Sequence, residues 1–136
     1  METRSSSAPA HQSTVWPIAG LLLDALTRRN FEAMQAVLDD DVRFRALVPS
    51  GPFQLDTAEA AAARFRSWFG GEDEFDVLDA SVGEVGSRLY ARWRVRMCPP
   101  GRPGESRVAE QHVFTTGTTR IASIDLLCSG FHPGIR

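Results

Sequence analysis

A glutamate and a histidine two positions apart are the strongest candidates for chemistry in this sequence. In the segment VAEQHVF, Glu110, His112 and Phe114 alternate with Gln111 and Val113, so a strand would place the first three on one face. A carboxylate beside an imidazole in an apolar pocket could serve as an acid/base pair. We therefore predict that Glu110 and His112 line a pocket and are catalytic. The alternative is that this face is solvated and displays both side chains outward.

Two more reactive side chains lie in the segment IASIDLLCSGF. Asp125 is its only acid and is the next catalytic candidate, although a strand would turn it away from Leu126 and Cys128, which are the more natural pocket lining. Cys128 could be a nucleophile if a base such as His112 took its proton. Nothing in the sequence brings these two together, so a small buried thiol is the simpler interpretation.

Motifs for metals and cofactors are missing from the sequence. His11, His112 and His132 are scattered singly, with neither an HxH nor an HExxH spacing. No P-loop, GxGxxG, GxSxG or CxxC pattern occurs. We expect neither a metal site nor a cofactor.

Arginines alternate with apolar residues in the segment ARWRVRM. Arg92, Arg94 and Arg96 would share one strand face, and Trp93 and Val95 the other. A solvent-facing arginine ladder over an apolar face is the simpler interpretation. An anion clamp or a dimer contact across the sheet is the alternative, and the same two interpretations apply to Arg43 and Arg45 on the first strand.

Composition limits the class of protein. The chain has 136 residues and a formal charge of -2, which leaves no cationic excess for a nucleic-acid partner. Residues 1–13 are rich in Ser, Ala and Pro and are expected to form a disordered tail before a single domain over 14–136. The tail lacks an apolar signal sequence, so we expect a cytoplasmic protein. The longest apolar run, 18–23, is too short to span a membrane.

Hydrophobic periodicity indicates which elements position these residues. The pattern predicts helices over 15–29, 31–38 and 58–69, and strands over 42–47, 74–83, 88–98, 106–115 and 120–128. Three acids, 39–41, are expected to end the second helix, and Pro49, Gly51 and Pro52 to form a loop. Because helices and strands do not alternate, the predicted class is α+β, with a mostly antiparallel sheet covered by helices on one face.

Three segments resemble proteins of the nuclear transport factor 2-like superfamily, which includes SnoaL-like and ketosteroid isomerase-like domains. They are LLLDALTRRNFEAMQAVLDDDVRFRALVPSGPFQL, DEFDVLDASVGEVGSRLYARWRVRM and EQHVFTTGTTRIASIDLLCSGF, and the resemblance covers residues 15–132. It implies a cone whose curved, mixed sheet wraps around three helices and encloses a small-molecule pocket. The fold hosts isomerases, cyclases, epoxide hydrolases, dehydratases and binding modules, so it implies no single reaction.

The resemblance also implies where an isomerase-like site would lie. The usual carboxylate base would fall within residues 45–48, where the sequence is RALV and holds no acid. The acid that holds an enolate oxygen would fall on Glu110, and SnoaL-like cyclases place an acidic base near Asp125. The substrate-binding walls would come from Trp16, Phe31, Phe44, Phe53, Phe65, Trp68, Trp93, Phe114, Leu126 and Cys128.

Two classes of function follow from the sequence. The first is a cofactor-free enzyme doing acid/base chemistry on a hydrophobic polyketide-, steroid- or terpenoid-like molecule. The second is a non-catalytic module that binds a small ligand or only dimerises. A homodimer through the open sheet face is expected under either.

Overall fold

The computed structural model describes residues 9–134, with side chains from residue 18 onward. These residues contain three α-helices: α1 (Pro9–Thr27), α2 (Phe31–Ala36) and α3 (Ala58–Phe69). α1 begins earlier than the predicted residue 15, so the last part of the predicted tail, 9–13, is helical. Pro9 can occupy a first helical turn as readily as Pro17 can, which explains the displaced start. The rest of the predicted tail and the side chain of Trp16 lie outside the described residues.

One sheet contains all the strands described. They are β1 (Leu38–Val48), β2 (Gly51–Leu55), β3 (Glu74–Val85), β4 (Arg88–Cys98), β5 (Arg107–Thr116), β6 (Ile121–Cys128) and β7 (His132–Pro133). The strand order is β2-β1-β6-β5-β4-β3, and β7 pairs with β5. β1 and β6 are parallel, and the other pairs are antiparallel. The predicted α+β class with a mixed, mostly antiparallel sheet is therefore confirmed.

Two local predictions were wrong. The acids at 39–41 do not end α2 but belong to β1, because Leu38 and Val42 on either side of them are both buried. Leu38 also pairs with Ile121 of β6. The loop predicted around Pro52 is the strand β2, where a proline is tolerated because β2 lies at the edge of the sheet.

The N-cap residue is the one that the sequence favours in α2, and it lies one residue later than that in α3. Asn30 caps α2, as its position predicts, by accepting a hydrogen bond from the backbone N–H of Ala33 at 3.0 Å. α3 is capped by Thr57, whose hydroxyl accepts from the N–H of Ala60 at 3.1 Å. The neighbouring Asp56, which its capping-box spacing to Glu59 in the sequence favours as the cap, accepts a hydrogen bond from Gln54 instead.

The helices pack on one face of the sheet, which we call the inner face and which carries Phe44, Trp93, Gln111 and Leu126. Phe65 of α3 meets the ring of Phe44 edge-to-face at 5.6 Å, and this contact lies in the main hydrophobic core. The opposite side is the outer face. None of the described helices is long and apolar enough to cross a membrane.

Candidate active site

The structure places Glu110 and His112 of β5 on the face opposite to the predicted one. Ala109, Gln111 and Val113 are buried on the inner face, whereas Glu110 and His112 are half-buried on the outer face. The prediction that Glu110 and His112 line the interior was therefore wrong. The reason lies on the neighbouring strand: Trp93 needs a buried acceptor for its indole N–H, and Gln111 Oε1 supplies it at 3.0 Å.

Glu110 and His112 nevertheless form a short hydrogen bond, and a third group extends it. His112 Nε2 lies 2.6 Å from Glu110 Oε2, and His112 Nδ1 lies 2.7 Å from the Tyr90 hydroxyl. A carboxylate can only accept, so Nε2 carries a proton towards Glu110. In a neutral imidazole, Nδ1 is then bare and the Tyr90 hydroxyl donates to it. The three side chains form a continuous chain, which we call the Tyr90–His112–Glu110 relay.

Two arginines of β4 surround the carboxylate end of the relay. Arg94 Nε lies 3.3 Å from Glu110 Oε1, and Arg92 Nη1 lies 3.9 Å from Oε2. The hydrogen bond to His112 lowers the pKa of Glu110, and the charges of His112, Arg92 and Arg94 add to this effect while partial burial opposes it. Glu110 is therefore a carboxylate at neutral pH. It can orient His112 and stabilise its positive charge, but it has no proton to give as a general acid.

A cavity of about 470 Å³ opens beside the relay. Its walls come from Arg45, Ala46, Leu47, Pro52, Phe53, Gln54, Phe114, Asp125, Leu126 and Leu127. Phe114 connects it to the relay, since its ring centroid lies 5.0 Å from that of Tyr90. Leu127 pairs directly with His112 across β5 and β6. A volume of this size accommodates a small organic molecule.

Asp125 is the acidic group of this cavity. Its carboxylate accepts hydrogen bonds from Arg45 Nε at 2.8 Å and from Arg88 Nη1 at 2.9 Å. Burial acts to raise the pKa of Asp125, but the two arginines outweigh it and hold the pKa below its ordinary value. Asp125 is thus a charged, doubly paired group and not a carboxylic acid at neutral pH.

A family model, the SnoaL-like domain, matches residues 21–124. The chain belongs to the SnoaL-like family. An LEH-like epoxide hydrolase from M. tuberculosis is similar in structure at 15% identity, with 82% of this chain and 80% of that chain covered and a TM-score of 0.59. A protein with a ketosteroid isomerase-like fold from Catenulispora acidiphila DSM 44928, in complex with trimethylamine, has 13% identity, coverage of 85% and 88%, and a TM-score of 0.63.

A third structure, an NTF-2 like protein of unknown function from Burkholderia xenovorans LB400, has 16% identity, covers 90% of each chain and gives a TM-score of 0.62. No curated protein matches the chain. At these identities the structural neighbours show a common fold and leave the chemistry to be argued from the site.

The predicted pocket walls of this SnoaL-like domain separate into three groups. Phe31, Phe44, Phe65 and Trp93 are buried among the core side chains. Phe53, Phe114 and Leu126 line the cavity described above. Trp68 and Cys128 are partly buried against the core and do not line the cavity.

The suggested pair of Cys128 and His112 is not formed. Cys128 faces Gln111 across β5 and β6, so it points inward while His112 points outward. Its sulfur accepts hydrogen bonds from Gln111 Nε2 at 3.3 Å and from the Gly130 N–H at 3.4 Å. Among the described residues, no group of three His, Cys, Asp or Glu side chains could hold a metal ion.

Tyr90 and Arg88 are the site residues that sequence reasoning missed, whereas Arg45 was considered only as a solvent-facing, anion-binding or dimer-contact residue of the first strand. Tyr90 pairs with Phe114 in the β4–β5 hairpin, on the same face as His112. The signal that could have found it is the hairpin register, because the loop between the two strands decides which residues face each other. Arg45 and Asp125 are paired across parallel strands far apart in the chain, which no local pattern reveals.

Proposed function

We propose that this SnoaL-like domain is an enzyme that binds a small, mainly apolar molecule in the cavity beside the relay and moves a proton on it. The observation that carries the proposal is the Tyr90–His112–Glu110 relay, two hydrogen bonds of 2.7 and 2.6 Å beside the cavity wall. A base held by a third group and hydrogen-bonded to a hydroxyl is the arrangement that activates a hydroxyl for proton transfer. Fold-level likeness to isomerases, cyclases and epoxide hydrolases is compatible with such a step.

The three groups have separate roles in this proposal. The Tyr90 hydroxyl gives its proton to His112 Nδ1 as its oxygen takes a proton from the substrate. The resulting imidazolium lies between the Tyr90 oxygen and the Glu110 carboxylate, which stabilises the added positive charge. In the second half of the reaction the Tyr90 hydroxyl gives its proton to another atom of the substrate, and His112 Nδ1 returns a proton to the Tyr90 oxygen. Asp125 supplies a charged wall group and takes no part in the transfer.

Turnover of candidate compounds by matched variants tests this proposal. Polyketide-like aromatics, steroids and terpenoid epoxides are screened with the wild type, His112→Gln and Tyr90→Phe. The control is His132→Gln, because His132 is an exposed imidazole bonded only to the carbonyl of Ser129 among the described residues. We expect either relay variant to lose about 100-fold or more in kcat, and the control to keep it. A compound turned over equally well by His112→Gln would refute the relay as the catalytic group.

A homodimerisation module is the second candidate, and the exposed leucines of the outer face favour it. Leu47 and Leu127 are 52% and 51% exposed, and they pair with each other across β1 and β6. Analytical ultracentrifugation of the wild type, Leu127→Lys and the helix-surface control Leu21→Lys tests it. A dimer that only Leu127→Lys dissociates would support the module. A monomeric wild type would exclude it.

A further inference from the structure

The cavity contains a cationic group with unused hydrogen-bond donors. Asp125 accepts from both Arg45 and Arg88, so the three side chains together carry one net positive charge. Arg45 uses only its Nε in this contact. Its two Nη atoms donate to no other described residue, and the side chain is 51% exposed. A guanidinium edge is therefore available to a ligand.

The remaining walls of the cavity are mostly apolar. Besides Arg45, Asp125 and Gln54, all lining residues are hydrocarbon or aromatic in character: Ala46, Leu47, Pro52, Phe53, Phe114, Leu126 and Leu127. A ligand that fits must bring an apolar body and, at one end, a group that matches the guanidinium. A carboxylate matches this edge because its two oxygens accept two parallel N–H bonds.

We propose that the cavity binds a small apolar monocarboxylate, with its carboxylate on the Nη edge of Arg45 and its hydrocarbon part against Leu127 and Phe114. One negative charge neutralises the net charge of the Arg45–Asp125–Arg88 group. An ammonium ligand would meet that net positive charge, and Asp125, the only acidic residue among the described walls of the cavity, already accepts from two arginines. This inference rests on the proposed function for the location of the site, but it concerns binding and requires no turnover.

Calorimetric titration with 2-naphthoate and its neutral isostere 2-naphthamide tests the assignment. We expect the wild type to bind the acid at least about tenfold more tightly than the amide, because hydrogen bonds to charged groups are the stronger ones. Arg45→Gln removes the guanidinium and should abolish this preference. Arg43→Gln is the matched control, since Arg43 is an exposed arginine two residues away on the same strand and does not line the cavity. It should keep the preference.

Each other outcome overturns the assignment. Equal affinities for acid and amide would show that the cavity selects apolar shape alone. A preference that survives in Arg45→Gln would place the anion elsewhere. Binding of neither compound would refute the assignment, and a wild-type dimer that only Leu127→Lys dissociates would then place a second copy of the chain on this face.

Different results would refute the enzyme proposal and the ligand proposal. If the acid binds through Arg45 but His112→Gln leaves all turnover unchanged, the ligand class stands and the enzyme proposal falls. If turnover depends on His112 but uncharged substrates are preferred, the enzyme proposal stands and the carboxylate ligand class falls.

Discussion

The buried hydrogen bond between Trp93 and Gln111 allows the sharpest test of the structure. Both side chains are 0% exposed, and Trp93 Nε1 donates to Gln111 Oε1 at 3.0 Å. Gln111→Leu keeps a similar volume but removes the acceptor, so the indole N–H is left unsatisfied inside the core. An orphaned buried donor costs about 1–3 kcal/mol, and we expect this loss in the free energy of unfolding. For a domain of this size, that is a fall of roughly 3–10 °C in Tm.

A double-mutant cycle separates this hydrogen bond from simple loss of packing. Trp93→Phe removes the donor, leaves the Gln111 carbonyl unpaired and creates a cavity, so it should also destabilise the fold. When both changes are combined, neither polar group remains unpaired. The double variant should therefore lose at least about 1 kcal/mol less than the sum of the two single variants.

Urea unfolding followed by far-ultraviolet circular dichroism measures these values, because this signal does not depend on the indole that is replaced. The control is Gln35→Leu at an exposed position of α2, which should change stability by less than about 0.5 kcal/mol. Additive effects within about 0.5 kcal/mol, or a Gln111→Leu variant as stable as the wild type, would refute the buried pairing.

Three further predictions concern the loss of stability at acidic pH, a pair of glycines and one helix cap. Because folding lowers the pKa of Glu110, its carboxylate contributes to folding stability above its ordinary pKa of 4.5, and this contribution is lost as the pH falls below that value. Thermal melts of Glu110→Gln should therefore show a smaller loss of Tm on acidification than those of the wild type. Gly117→Ala should destabilise the fold by more than about 1 kcal/mol, since Gly117 has φ +108° and a methyl group would collide with the Arg120 carbonyl. Gly20→Ala in α1 meets no neighbour, so it should stabilise the fold by about 0.5–1 kcal/mol in the same denaturation assay. Thr57→Ala should cost about 0.5–2 kcal/mol by removing the cap of α3, with Thr57→Ser retaining most of it in calorimetric melts.

The fold was predictable because most of its elements have strong local signals. The buried residues of α3 recur at helical spacing: Ala58, Ala61, Ala62, Phe65 and Phe69. From Ala91 to Met97, β4 alternates strictly between buried apolar residues and arginines. The elements that were missed have no such signal. β2 has only five residues and contains Gly51 and Pro52, and it is a strand only because β1 offers it a partner.

The candidate site was only partly predictable, because the sequence of β5 is ambiguous about its own faces. Gln111 is as polar as the two residues beside it, so periodicity cannot say whether Glu110 and His112 or Gln111 point to the core. The information is on β4, where Trp93 and Val95 are unmistakably inward and Arg92 and Arg94 outward.

The register of pairing between β4 and β5 determines which face each β5 residue occupies. Trp93 pairs with Gln111 and Arg94 with Glu110, so the face of each β4 residue determines the face of its β5 partner. The pairing depends in turn on the connection between the strands, which contains the short 3₁₀ helix Pro103–Glu105. One residue more or fewer there would shift the pairing by one and exchange the two faces of β5 relative to β4. Trp93 would then face a charged side chain in the core, so the length of this connection and the Trp93–Gln111 hydrogen bond together keep the relay on the outer face beside the cavity.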